Sequence, residues 1–311
     1  MPQIKARDNH DIYVRELYNP LVNLEETTPF FLLHGFGMHS AWWLPYLMAT
    51  ALTTKVRFIL PDFRGFGKSH LINLNKEDIL LNYVEDIEDI ISFYGFDKVL
   101  LGGISMGALT GLKYAEVTKF KNVIGYLHID QSPKILNDDQ WKDGLFGHKN
   151  QSGLDRFDLI MQELEGFNKE EIHYDLLTDE LKGLLQETIA DFVSHTPAQD
   201  WQKLLLKQLF LQEPILKRLM PMENIRPYLE IMSAYTKLDY DFRHILKEID
   251  IPFTIMTGMK STMYPPAGQL FIQDQIKHSK LVRFESSGHT PFFDQPILFS
   301  NELSNFVREA T

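Results

Sequence analysis

The chain has 311 residues, 44% hydrophobic and 23% charged, a balance that fits a soluble globular protein of one large domain or a core with a sizeable insertion. With 31 basic against 42 acidic side chains, the formal charge is −11, which excludes the basic footprint of a nucleic-acid binder. The absence of cysteine excludes disulfides, thiolate metal sites and a cysteine nucleophile, but fixes no compartment.

The opening stretch, MPQIKARDNHDIYVREL, is polar and charged early and has no apolar h-region, so no secretory signal is expected and cytoplasm is the default. No run approaches the ~18 apolar residues of a membrane span. Residues 2–7 and 11–18 are short runs split by DNHD, a hairpin-like signal. PFFLLHGFG and KVRFILPDFRGFG each read as a buried apolar strand ending in a glycine-bearing loop. ILLNYVEDIEDIISFYGF has helical spacing, with Gly95 near its end. DKVLLGGISMG is another strand, leading into the helix-like ALTGLKYAEV, and NVIGYLHIDQSP, IPFTIMTGMKS and SKLVRFESSGH repeat the theme.

Strands alternating with helices predict an α/β fold, a mostly parallel sheet with helices on both faces, whose chemistry sits at the carboxyl ends of the strands. His34, Ser105, Asp130 and His289 all lie just past such ends. Between Ser132 and Ile251 the rhythm breaks into Leu-rich helical pattern, as in LTDELKGLLQETIADFVSH and WQKLLLKQLFLQ. The expected organisation is a core of residues 1–132 and 251–311, interrupted by a helical insertion over 133–250 that sits over the active edge.

Gly103-Ile104-Ser105-Met106-Gly107 fits G-x-S-x-G, a strand-to-helix turn that lifts a serine hydroxyl clear of the sheet. Its small flanking residues suit close passage of neighbouring backbone, and the following helix aims its first amides at the site. The plain alternative is an ordinary glycine-rich turn. In His34-Gly35-Phe36-Gly37, the loop after an earlier strand, the Phe36 N–H stands opposite the elbow, so the Phe36 and Met106 amides are the candidate oxyanion donors, while His34 itself braces the turn. His289, on a loop after the last strand, is the candidate general base by chain order.

HGFGMHSAWW (34–43), PDFRGFGKS (61–69), GISMG (103–107) and SGHTPFF (287–293), in this order, resemble the α/β-hydrolase superfamily over about residues 10–132 and 250–311. The resemblance implies Ser105 as nucleophile, His289 as base, Phe36 and Met106 as oxyanion donors, structural roles for Asp62 and Arg64, and no cofactor. It also implies an acid after the seventh strand, yet Met256 to Gln273 contains no Asp or Glu, Ser261 stands at the expected place, and Asp274 is too far along. Some members draw the acid from the sixth strand, which points to Asp130; the plain alternative is an Asp capping its own QSP turn, with Asp138 and Asp139 as weaker candidates and a missing acid as a further outcome.

The reading is a carboxylesterase-like serine hydrolase acting on a small to medium apolar ester through Ser105, His289 and Asp130. Its partner is a small-molecule ester-like substrate, with no nucleic acid, no membrane span, no metal, and homo-oligomerisation left open. Its rivals are a cofactor-free perhydrolase or haloperoxidase, a C–C bond hydrolase, and a non-enzymatic ligand receptor on the same fold. A carboxylate nucleophile, as epoxide and haloalkane chemistry requires, is disfavoured by Ser105. Trp42 and Trp43 are expected to pack under the insertion, MYPP (263–266) to touch the pocket, and FDLIMQEL and LKRLMPM to form insertion core, some of it lining an apolar acyl pocket.

Overall fold

The computed structural model of the chain describes residues 3–164, 172–220 and 222–311. It opens with a hairpin of β1 (Gln3–Lys5) and β2 (Asp11–Leu17), turned at Asn9 in the left-handed region. β3 (Thr28–Leu33), α1 (Leu44–Thr53), β4 (Val56–Pro61), α2 (Ile79–Tyr94), β5 (Val99–Ile104), α3 (Met106–Thr118) and β6 (Val123–Ile129) then alternate. Among the described residues, five α-helices follow: α4 (Asn150–Glu163), α5 (Asp179–Ser194), α6 (Asp200–Phe210), α7 (Glu213–Leu219) and α8 (Arg226–Lys237). The chain ends with β7 (Phe253–Gly258), α9 (Pro266–Gln275), β8 (Ser279–Phe284), α10 (Pro291–Asp294) and α11 (Pro296–Ala310). Within the helical stretch, residues 165–171 and 221 lie outside the described residues.

The eight strands form one sheet in the order β1-β2-β4-β3-β5-β6-β7-β8, parallel from β4 to β8 and antiparallel at the β1–β2 edge. The central strands are apolar on both faces because helices cover both. Phe30, Leu32, Phe58, Leu60, Leu100 and Ile104 pack toward α1 and α11, while Phe31, Leu33, Ile59 and Leu101 pack toward α2 and α3. α2 stops where Gly95 takes φ 67°, accepting a left-handed C-cap that a Cβ would strain. The strand order reverses between β3 and β5, so the loops leaving their carboxyl ends face each other across a crevice. The two ends of the helical stretch pair with each other: Lys134 bridges to Asp241, and the Phe242 and Ile135 amides donate to the Pro133 and Tyr240 carbonyls at 2.9 and 3.1 Å.

One expectation is corrected. Trp43 does not pack under the helical stretch. It is fully buried on the opposite face, 5.2 Å from the Phe292 ring and stacked on Phe299 at 6.3 Å. The cause is the tight 3₁₀ turn Ser40–Trp43, in which successive side chains diverge by about 120°. Trp42 therefore faces the crevice while Trp43 turns into the core.

Two buried histidines give the fold an acid-labile element. His34 Nε2 accepts the Phe63 amide at 3.0 Å, so Nδ1 carries the proton and donates to the Gly35 carbonyl at 2.8 Å. His128 Nε2 contacts the Gln131 carbonyl at 2.8 Å. Burial lowers both pKa values from 6.5 to about 4. Between those limits the unfolded chain binds protons that the folded chain refuses, so stability falls as pH drops from about 6.5 toward 4. Urea titrations across that window should show ΔG declining by up to about 2.7 kcal/mol per pH unit from these two groups. Asp86, whose pKa is raised to about 6, acts with the opposite sign in the lower part of that window. The histidine contribution is therefore read from the difference between the wild-type and His128→Asn profiles, and no difference would contradict the buried neutral state of His128.

Candidate active site

The run Val99–Ile104 is buried throughout and ends at Ser105, which sits at φ 54°, ψ −124° before α3 begins at Met106. A non-glycine residue held there stores about 1–3 kcal/mol of backbone strain. The glycines on either side are required by contact. A Cβ on Gly103 would lie 2.5 Å from the Gly107 carbonyl carbon, and one on Gly107 would lie 2.6 Å from the Leu33 carbonyl oxygen. Gly107→Ala is therefore expected to cost roughly 3 kcal/mol of stability, read as a lowered urea midpoint at unchanged m-value.

The hydrogen-bond ladder continues past the strands and fixes the next two residues. The Ser105 amide donates to the Ile129 carbonyl at 3.1 Å, and the Asp130 amide to the Met256 carbonyl at 2.9 Å. Asp130 takes φ 40° and is fully buried. Its Oδ1 accepts from His289 Nδ1 at 2.8 Å and from the Ser261 hydroxyl at 2.7 Å, and its Oδ2 accepts from the Gly258 amide at 2.7 Å. Three donors compensate the desolvation of this carboxylate. The His289 amide donates to the Thr196 carbonyl at 2.8 Å, and its ring lies 5.7 Å from that of Tyr264.

Opposite the elbow, the loop after β3 lies close enough that a Cβ on Gly35 would meet the Ser105 Cβ at 3.3 Å. The next residue, Phe36, has its ring held edge-on by Phe66, Phe192 of α5 and Tyr228 of α8 at 5.5–5.7 Å. Met106 opens α3, so its amide has no intrahelical acceptor and lies at the positive end of the helix dipole.

Ser105 and His289 line a cavity of about 190 Å³. Its other walls include Trp42, Phe192, Phe210, Met220 and Met263, and its remaining polar side chains are Thr196 and Thr290. No Asp, Glu, Lys or Arg lines it among the described residues. Leu219 and Met220 of LKRLMPM and Met263 of MYPP thus reach the cavity, whereas Phe157 and Ile160 of FDLIMQEL are buried elsewhere. A larger depression, about 650 Å³, lies by α2 and α8 and contains none of these groups.

The other acidic candidates stand apart. Asp138 accepts the Gln140 and Trp141 amides at 2.7 and 2.8 Å and pairs with Lys134 at 3.0 Å, capping a turn. Asp139 and Asp274 are exposed. Asp62 ties two loops together by accepting the Ser40 and Lys68 amides, and Arg64 is buried between Asp8 and Asp86. Burial raises the Asp86 pKa to about 6 against the opposing pull of Arg64. Sequence reasoning missed Gly258, Thr196 and Asp294 as supports of the site. Only Asp294 left a signal, as an acid five residues beyond His289 in SGHTPFFDQP.

Among the described residues, no group of three or more His, Cys, Asp or Glu could hold a metal ion, and no helix is long and apolar enough to cross a membrane. A family model described as alpha/beta hydrolase fold matches residues 28–296. A pimeloyl-[acyl-carrier protein] methyl ester esterase of Legionella pneumophila (strain Corby) is 24% identical over 280 residues, spanning 90% of this chain and 95% of that protein. An esterase from Exiguobacterium antarcticum superposes with a TM-score of 0.75 at 22% identity, covering 99% of this chain and 100% of that one. An enol-lactonase from Burkholderia xenovorans LB400 does so with a TM-score of 0.70 at 15% identity, covering 99% and 100%. At these identities the structural likenesses speak to the fold.

Proposed function

The chain belongs to the alpha/beta hydrolase fold family, and from that premise we propose that it is a serine hydrolase cleaving carboxylic esters of small to medium apolar substrates. The observation that carries this reading is the convergence of a strained Ser105 and an Asp130-bound His289 on one small apolar cavity. Its relatives named as esterases support the bond type.

In this mechanism His289 Nε2 takes the Ser105 hydroxyl proton as Oγ attacks the ester carbonyl carbon. Asp130 holds the Nδ1–H, fixing the tautomer that leaves Nε2 free and stabilising the imidazolium that forms. The carbonyl oxygen, now an oxyanion, accepts from the Phe36 and Met106 amides, each such donor contributing roughly 3–4 kcal/mol to the transition state. The alkoxide leaves with the proton from His289, forming the acyl-enzyme. Water, deprotonated by the same imidazole, then releases the acid and restores Ser105. Residues 133–250 act in this scheme as a helical cap, since α5, α6 and α7 supply much of the apolar wall and exclude bulk water.

A cavity of about 190 Å³ is small for a ligand pocket, so short acyl or alcohol groups should be favoured. With no Asp, Glu, Lys or Arg among the described wall residues, free acids and charged esters should be poor substrates. A p-nitrophenyl ester series from acetate to decanoate tests this: kcat/KM should peak at short chains and fall steeply beyond. Phe210→Ala, which removes a ring from the wall, should shift the ratio of long-chain to short-chain kcat/KM upward by about tenfold. A wild-type protein inert toward every ester would end this reading.

A further inference from the structure

Asp294, at the end of α10, converges three donors on a single oxygen. Its Oδ2 accepts the Gly288 amide at 2.7 Å, the Ser287 hydroxyl at 3.2 Å and the Ala198 amide at 3.3 Å. Gly288 immediately precedes His289, whereas Ala198 belongs to the loop between α5 and α6. One oxygen therefore joins the base-bearing loop to the helical stretch. A second bond runs the other way across the same seam, from the His289 amide to the Thr196 carbonyl at 2.8 Å.

The seam is closed by backbone against backbone. A Cβ on Gly288 would lie 2.6 Å from the Thr196 oxygen and 2.8 Å from the Ala198 nitrogen. On the other side, a Cβ on Gly258 at the end of β7 would meet the Gly288 oxygen at 1.8 Å. The loop carrying His289 is thus layered between the β7 turn, whose Gly258 amide also holds Asp130, and residues 196–198. The loop is also held at Ser287, whose carbonyl accepts the Lys260 amide at 2.9 Å, but Gly288, the residue next to His289, is held through the Asp294 carboxylate.

We propose that Asp294 is a positioning residue for His289, locking the base-bearing loop to residues 196–198 so that the imidazole meets Asp130 and the cavity in register. The role is geometric: it needs an acceptor oxygen at this point, not a charge. It rests on the proposed base function of His289, but its physical core concerns only the His289–Asp130 bond.

The test compares Asp294→Asn, Asp294→Glu and Asp294→Ala in the full chain, with p-nitrophenyl acetate as probe. Asn can place its single carbonyl oxygen where Oδ2 stands and should keep kcat within about threefold. Glu keeps the charge but carries the oxygen one methylene away, and should lose about tenfold in kcat. Ala should lose about 10–100-fold, with KM changed by less than about twofold in both. The order Asn above Glu excludes an electrostatic role, which would reverse it. A fall in kcat at unchanged KM and unchanged urea midpoint in the Glu variant separates positioning from a merely structural role. If the alanine variant does not fold, the Asn and Glu pair still decides.

A second readout needs no turnover. The low-field proton resonance of the His289 Nδ1–H, assigned by its loss in Asp130→Asn, should persist in Asp294→Asn and be shifted or lost in Asp294→Glu. This outcome stands even if no ester is hydrolysed, which would overturn the esterase reading alone. Equal kcat in all variants, Glu above Asn, or an unmoved resonance would overturn the positioning role.

Discussion

Replacing Ser105 with alanine is expected to lower kcat for a short p-nitrophenyl ester by roughly 10⁴-fold or more, leaving activity near the background of a preorganised but nucleophile-free site. The substitution removes one oxygen from a residue that is already almost wholly buried, so the fold should be unaffected or slightly stabilised at the elbow. Alanine bears the same φ strain as serine at 54°, and the ladder bond from residue 105 to the Ile129 carbonyl survives because it is a backbone bond. Loss of activity without loss of stability is therefore the expected pair of observations, read by initial rates and by urea denaturation on the same preparation. Appreciable hydrolysis by the alanine variant would mean that another group attacks the ester.

The second large effect is at Asp130. Asp130→Asn is expected to lower kcat by about 10³–10⁴-fold while changing KM little. The carboxylate now accepts three hydrogen bonds, from His289, Ser261 and the Gly258 amide. An asparagine can satisfy the Gly258 amide with its carbonyl oxygen, but its NH₂ then faces His289 Nδ1. That contact favours the imidazole tautomer protonated on Nε2, which cannot take the Ser105 proton. The defect should be greatest for the acylation step, read as a loss of burst amplitude or rate in rapid mixing. If Asp130→Asn keeps most of its activity, another group orients His289. Ser261→Ala should be much milder, within about tenfold, because His289 and Gly258 still hold the carboxylate.

Much of this arrangement was legible in the amino-acid order for a physical reason. Buried parallel strands read as short apolar runs, and the bend at Ser105 betrays itself because only glycine fits where the Gly103 and Gly107 backbones touch their neighbours. Asp130 came into view only through the family resemblance, which implies an acid after β7, where no carboxylate stands before Asp274, or alternatively at the end of β6. What could not be read were contacts made by backbone. The Thr196 carbonyl that receives the His289 amide, and the Gly258 amide that binds Asp130, leave no side-chain signature. Trp43 was misplaced because neighbouring tryptophans in a 3₁₀ turn point in different directions, and a run of identical residues hides that divergence. The size of the cavity was equally hidden, as it depends on how α5, α6 and α7 close over Ser105.

The order of the strands carries one more implication, for the birth of the molecule. β6 pairs with β7 through Tyr126 and Phe253, and Asp130 meets His289 across 159 positions of sequence. On the ribosome the first six strands can associate long before their last two neighbours exist, since domains fold as their segments emerge. The unfinished protein then displays β6 as an unpaired edge, the kind of surface that recruits stray strands. It also holds Ser105 without His289, the base proposed for it. The chain is thus most exposed to mispairing at the stage at which the proposed site is still incomplete, and both conditions end together when the carboxyl-terminal segment docks.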